Sequence, residues 1–292
     1  MELKRQLMIF AKGFLMGVCD LIPGISGGTI AFITGIYYRL IKAVKDILGY
    51  PVLLMYSIFS GQKKRNIPVI KQDLGFLIVL GAGIGSAILV GSRIIHFLLR
   101  NYQAYTLAFF IGIILVSSKM IYDEIEKVHS KQILFIIPGF ITGLILAFLI
   151  PVDIEFPEYS YIFLGGLLAS SAMFLPGISG AFVLLIMGLY EFLIVALHRF
   201  GDYFMFLIVF FSGVVLGAFV ISRIISFLFR IAKVALLYIL LGLVLGAVSV
   251  PLRKIFASDL LNHANTYIFV ILAFCCGMVS IFLLNRMVKK QV

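Results

Sequence analysis

The chain is 292 residues long, 62% hydrophobic and 13% charged, with a mean hydropathy of +1.15. Soluble domains average about 45–50% apolar with about a quarter of residues charged, so a water-soluble globule is excluded and lipid is the expected solvent. The formal charge of +11 sits beside and between apolar spans, where it reads as cytoplasmic retention of loops and contact with anionic head groups, with no nucleic-acid role.

The N-terminal stretch MELKRQLMIFAKGFLMGVCDLIPG opens like a signal peptide. Lys12 interrupts the apolar run, Asp20 follows it and no small-residue cleavage site appears, so the segment is expected to be retained. It leads into GFLMGVCDLIPGISGGTIAFITGIYYRLI at 13–41, which has a second copy, GLLASSAMFLPGISGAFVLLIMGLYEFLI, at 166–194. Pro23-Gly24-Ile25-Ser26-Gly27 and Pro176-Gly177-Ile178-Ser179-Gly180 stand 153 residues apart, and Gly35 and Tyr37 fall on Gly188 and Tyr190. Pro-Gly ends one helix and Ser-Gly can begin another, so each copy is expected to be a re-entrant helical hairpin, at about 7–45 and 160–197.

After the first hairpin comes a segment at 46–70 with no counterpart in the second copy, then apolar spans at about 72–99, 104–119 and 132–150. The second hairpin is followed by spans at about 203–229, 234–250 and 266–286. Within these, Ser92-Arg93-Ile94-Ile95-His96-Phe97-Leu98-Leu99-Arg100 matches Ser222-Arg223-Ile224-Ile225-Ser226-Phe227-Leu228-Phe229-Arg230 at an offset of 130, and Gly112 and Gly242 keep that register. Lipid offers the backbone no hydrogen bonds, so these spans are helices. The fold class is therefore all-α and polytopic, with a first repeat at 1–150 and a second at 151–292.

Charge sets the topology. A single broken helix through either motif would run roughly 50 Å, too long for a hydrocarbon core about 30 Å thick. With a hairpin, Lys4, Arg5, Lys12, Lys42, Lys45 and the Lys63-Lys64-Arg65 cluster all stay inside, and the acidic loop PVDIEFPEYS at 151–160 lies outside. Arg230, Lys233, Arg286, Lys289 and Lys290 return inside; only Arg199, Arg253 and Lys254 oppose the positive-inside bias. Three crossings per half invert the second copy, as in secondary transporters. The N- and C-termini are expected in the cytoplasm.

The polar residues inside these segments are the candidate site. Helices starting after the turns expose unpaired N–H groups and a positive dipole end, suited to an anion and above all phosphate. Gly24, Gly27, Gly28, Gly177 and Gly180 allow close approach to the backbone, and Ser26, Thr29 and Ser179 add hydroxyls. Arg93 and Arg223, preceded by Ser92 and Ser222, lie seven residues before the interfacial Arg100 and Arg230 and about 10 Å deeper. A charge at that depth faces a cavity or partner, or snorkels. Asp20 and Glu191 break the repeat, replaced by Met173 and Tyr38 in the other copy, and are candidates for ion coupling. The histidines and cysteines show no metal or disulfide spacing, and no nucleophile–base or Walker arrangement appears.

With these motifs in view, and most specifically GVCDLIPGISGGTIAFITGIYYRLI at 17–41, the chain resembles the PopT-type polyprenyl-phosphate translocases of bacteria, a family first known as a domain of unknown function. The resemblance covers almost the whole chain. It implies a non-enzymatic flippase of the bacterial inner membrane that returns undecaprenyl phosphate to the cytoplasmic leaflet for cell-envelope synthesis. The phosphate would be held between the two turns with Arg93 and Arg223. No cofactor is expected beyond a coupling ion, H+ or Na+; the partners are the lipid substrate and the bilayer, with a homo-oligomer left open. The residues alone also allow a transporter of a small soluble anion or a membrane-embedded lipid-modifying enzyme.

Overall fold

The computed structural model describes residues 2–21, 26–60, 67–125, 132–146, 148–149, 157–256 and 264–289, and every regular element among them is helical. In chain order these are α1 (Glu2–Asp20), α2 (Gly27–Ile33), α3 (Tyr37–Ser60), α4 (Ile67–Asn101), α5 (Gln103–Asp123), a 3-10 turn at Gln132–Phe135, and α6 (Ile136–Leu146). They continue as α7 (Tyr159–Met173), α8 (Gly180–Ile186), α9 (Tyr190–His198), α10 (Phe204–Ile231), α11 (Lys233–Ala247), α12 (Ser249–Phe256) and α13 (Ala264–Lys289). Four segments are long and apolar enough to cross a bilayer: Val69–Gly91, Gln103–Asp123, Phe204–Ile231 and Lys233–Phe256. The remaining two expected spans correspond to shorter apolar helices, Gln132–Leu146 and Tyr267–Ser280. The chain is a multi-pass membrane protein.

Burial divides these helices by position. In α5 and α11, Leu107, Ile111, Ile114, Leu237, Leu240, Leu241 and Val244 are all buried, so these two form the centre. By contrast α4 and α10 present Ile78, Leu89, Phe211 and Val215 outward. A helix apolar all round belongs in the core or in lipid, and here both cases occur side by side.

Small residues decide which helices pair, as expected where lipid is as apolar as the side chains and close backbone approach supplies the attraction. α1 packs on α4 and α7 on α10. A Cβ added at Gly13 would strike the Leu80 carbonyl, and one at Gly166, its counterpart, the Phe210 carbonyl. Likewise Gly83 abuts Phe10 and Gly213 abuts Phe163. The duplicated positions thus make equivalent contacts.

The halves interlock. α6 packs on α11 of the other half, and α13 packs on α5. Gly112 lies against the Phe274 carbonyl as Gly242 lies against that of Ile136, and Gly277 against Phe109 as Gly139 against Ile239. Each half therefore completes its helix layer with the last helix of its partner half, so neither half packs as an isolated unit.

The apolar stretch after each PGISG motif is not one continuous helix. α2 and α8 last seven residues each and end in the same device. Gly35 (φ 70°) and Gly188 (φ 68°) take the left-handed conformation that glycine adopts without Cβ strain. Gly35 N–H donates to Phe32 O at 3.0 Å and Ile36 N–H to Ala31 O at 2.9 Å. Gly188 and Leu189 repeat this with Leu185 and Leu184 at 3.1 and 2.9 Å, the bonding of a Schellman terminus. The chain then turns, by 108° between Gly180–Ile186 and Tyr190–Leu197. In the first half the 46–70 segment lengthens the next helix: α3 runs on through Pro51 to Ser60.

Gly213→Leu should lower stability by about 1–3 kcal/mol, the usual cost of overpacking, because its neighbour is the Phe163 backbone. Gly75→Ala, where nothing lies within 4 Å, should leave the thermal unfolding midpoint in detergent unchanged or slightly raised, alanine being the better helix former. Equal behaviour of the two variants would contradict this packing scheme.

Candidate functional site

The site is built from the starts of the two short helices. Ser26 has extended backbone (φ −114°, ψ 130°) and caps α2, its hydroxyl accepting from Gly28 N–H at 3.1 Å. Ser179 holds the equivalent place before α8 (φ −95°, ψ 129°), with no side-chain capping bond. Both serines are buried, as is Thr29. Pro23, Gly24 and Ile25 lie outside the described residues.

The two motifs touch directly. Gly177 N–H donates to Thr29 Oγ1 at 3.0 Å, across 148 residues of sequence. Ser26 Oγ donates to Leu175 O at 3.4 Å, and Tyr37 Oη to Phe174 O at 2.7 Å. A Cβ at Gly28 would meet the Met173 carbonyl at 2.9 Å, so glycine is required for this approach. The second turn is wedged from behind as well. Gly177, at φ 92°, would press a Cβ onto the Val244 backbone of α11 at 2.9 Å.

Charge makes the halves unequal. Asp20, at the end of α1, accepts from Gly27 N–H at 2.6 Å. Lys12, two turns earlier on α1, donates from Nζ to Thr34 O, the C-cap of α2, at 2.7 Å. The spacing follows from geometry: eight residues of α1 rise about 12 Å, and the seven of α2 about 10 Å. A carboxylate at the N-terminus and an ammonium at the C-terminus both complement the helix dipole. In the second half the equivalent positions are Met173 and Gly165. Met173 Cγ would lie 2.6 Å from a Cβ at Gly180, and Leu189 Cδ1 2.3 Å from one at Gly165. α8 is thus bracketed by apolar groups where α2 is bracketed by charges.

Arg223, Ser222 and Glu191 are not gathered here. Arg223 is exposed, its guanidinium 4.7 Å over the Phe219 ring, and Arg223 Nη2 lies 3.3 Å from where a Cβ on Gly49 of α3 would stand. Ser222 is fully buried but donates to Phe219 O at 2.9 Å within its own helix. Glu191 is exposed in the first turn of α9. The side chains of Ser92 and Arg93 lie outside the described residues. Sequence reasoning missed Lys12 and Tyr37 as participants. Lys12 carried a legible signal: between Arg5 and Arg39 it and Asp20, eight residues on, are the only charged residues. Among the described residues no cluster of His, Cys, Asp and Glu could hold a metal ion.

Residues 16–268 match the family model for VCA0040-like, undecaprenyl phosphate translocase-like proteins. The chain belongs to that family. It is 36% identical over 242 residues to a polyprenyl-phosphate transporter of Vibrio cholerae, covering 82% of this chain and 75% of the relative. It is 27% identical over 252 residues to a polyprenyl-phosphate transporter of Staphylococcus aureus, covering 81% of this chain and 82% of the relative. No solved structure matches the chain. The family match spans both short helices and Asp20, while Lys12 lies before its first matched residue.

Asp20→Ala should cost about 1–3 kcal/mol of stability, the penalty for a buried N–H left without an acceptor. Asp20→Asn, which keeps a carbonyl oxygen at that place, should cost less. Thermal unfolding of the purified variants in detergent orders them; equal losses would contradict the capping role of Asp20.

Proposed function

We propose that the chain is a translocase that carries a polyprenyl phosphate, chemically unchanged, from the outer to the cytoplasmic leaflet, as the lipid carrier of envelope precursors is recycled. The reading rests on the relatives' names and on one observation: two duplicated turns from separate halves meet inside the membrane protein and bond to each other through Thr29 and Gly177. The two halves are inverted repeats with their hairpins entering from opposite faces, in a bacterial inner membrane with both termini in the cytoplasm. The equivalent glycine contacts and the positive-inside pattern support this arrangement.

In this mechanism the phosphate enters where the turns meet. Amides around Gly24, Gly27, Gly28, Gly177 and Gly180 and the hydroxyls of Ser26, Thr29 and Ser179 replace its water shell. The isoprenoid tail stays at the lipid-facing side. Rocking of one repeat against the other alternates access, and the Schellman breaks at Gly35 and Gly188 provide the hinges. Arg93 and Arg223, with Ser92 and Ser222 beside them, attract and hand over the head group, a planar guanidinium suiting phosphate.

Asp20 is the coupling group. Its carboxylate occupies the Gly27 N–H, the donor a phosphate would use, so substrate and carboxylate compete for one site. A proton or Na+ on Asp20 relieves the repulsion and frees the amide. Glu191, at the start of α9, is the second candidate for ion contact.

Arg93→Ala and Arg223→Ala should each reduce uptake of undecaprenyl phosphate into the inner leaflet of proteoliposomes by about tenfold or more, as expected for losing a charged contact of a few kcal/mol. Both proteins should still be recovered folded. Wild-type transport rates in both variants would remove the arginines from the mechanism, and inhibition by inorganic phosphate equal to that by a polyprenyl phosphate would favour a small-anion carrier instead.

A further inference from the structure

α3 and α10 enclose an apolar groove of about 680 Å³, lined by Leu48 of α3 and, along α10 and its approach, by Phe200, Phe204, Phe211, Val215 and Phe219 among others. Phe200, Phe204, Phe211 and Val215 are exposed, so the groove opens on the lipid side. Its end is marked by charge: Phe219 both lines the groove and carries the Arg223 guanidinium on its ring at 4.7 Å. Positions 204, 208, 211, 215 and 219 follow one helix face, and 223 continues it. From Phe204 to Phe219 that face is about 22 Å long.

The duplication shows that the aromatic lining of this groove is particular to one half. At the offset that aligns Arg223 with Arg93, the four phenylalanines Phe200, Phe204, Phe211 and Phe219 correspond to Ile70, Leu74, Gly81 and Leu89. Val215 corresponds to Gly85, and a Cβ at Gly81 or Gly85 would meet nothing within 4 Å. An aromatic trough with an exposed guanidinium stacked on the ring at its end matches an amphiphile with a long unsaturated chain and an anionic head.

We infer that this α3–α10 groove is a docking site for the isoprenoid chain of a polyprenyl phosphate, with Arg223 holding the phosphate at its end. The inference rests on the translocase reading above and adds a tail site on the second half alone. It places the bound lipid with its head toward the Arg230 end of α10 and its chain along the phenylalanines. Arg223 then receives or delivers the head group at the protein's flank, apart from the turns.

The test is filling the groove far from the head group. Ser212 lines the groove and stands 11 residues before Arg223, about 16 Å along the axis, beyond the reach of a geranyl chain. In proteoliposomes Ser212→Trp should cut undecaprenyl phosphate transport about tenfold, equivalent to about 1.4 kcal/mol, while geranyl phosphate transport stays at the wild-type rate. Ala82→Trp, at the matching exposed position of α4, should leave both unchanged. Val215→Trp serves as the second groove variant if Ser212→Trp does not fold. Equal effects of a folded groove variant on the two substrates, whether none or a common loss, overturn the groove. A wild-type protein that moves neither lipid overturns the translocase reading itself.

Discussion

A turn of irregular backbone cannot face hydrocarbon, because its N–H and C=O groups have no water to bond. Two such turns can lie at depth if each supplies what the other lacks, and the contact between Thr29 Oγ1 and Gly177 N–H is that exchange. Tyr37 Oη on the Phe174 carbonyl and Ser26 Oγ on that of Leu175 extend it. The remaining architecture serves this junction. α5 and α11 back it with fully buried apolar faces, and α6 and α13 cross to the opposite half and keep the two turns opposed.

The same junction carries an imbalance that bears on mechanism. The first short helix is held at both ends by charges from α1, Asp20 on Gly27 N–H and Lys12 on Thr34 O. The second has Met173 and Leu189 at those ends. A symmetric pair of repeats would give two equal half-sites; this pair gives one turn whose amide is already occupied by a carboxylate and one that is not. The flank shows a parallel difference, with phenylalanines along α10 where α4 has glycine and aliphatic residues. Duplication supplied the scaffold, and divergence at a few positions made the halves unlike.

Much of this was legible in the sequence. The helical class followed from composition, the duplication from the PGISG and SRII matches, and the meeting of the motifs from parity and charge. Membership of a polyprenyl-phosphate translocase family was readable from the stretch at 17–41. The breaks after α2 and α8 were missed although Gly35 and Gly188 aligned, since a lone glycine in an apolar run reads equally as helix. Lys12 was read as an interruption of an apolar arm and as a cytoplasmic charge; its spacing from Asp20 was legible, but its partner, the Thr34 carbonyl, is a backbone group with no sequence signature. Arg223 was expected near the turns from its depth and its recurrence after a serine in both halves; its place over Phe219 and against Gly49 depends on how α3 crosses α10, which no local pattern encodes.

The central claim is that the substrate head group passes between two turns that here bond to each other, so transport requires them to part. Ser26→Cys with Leu175→Cys, in a chain whose Cys19, Cys275 and Cys276 are replaced, joins them through a short bifunctional thiol reagent that a reductant can cleave. Leaflet-resolved transport of undecaprenyl phosphate in proteoliposomes should stop on cross-linking and recover on cleavage. Transport continuing at the same rate in the fully cross-linked protein would contradict passage between the turns.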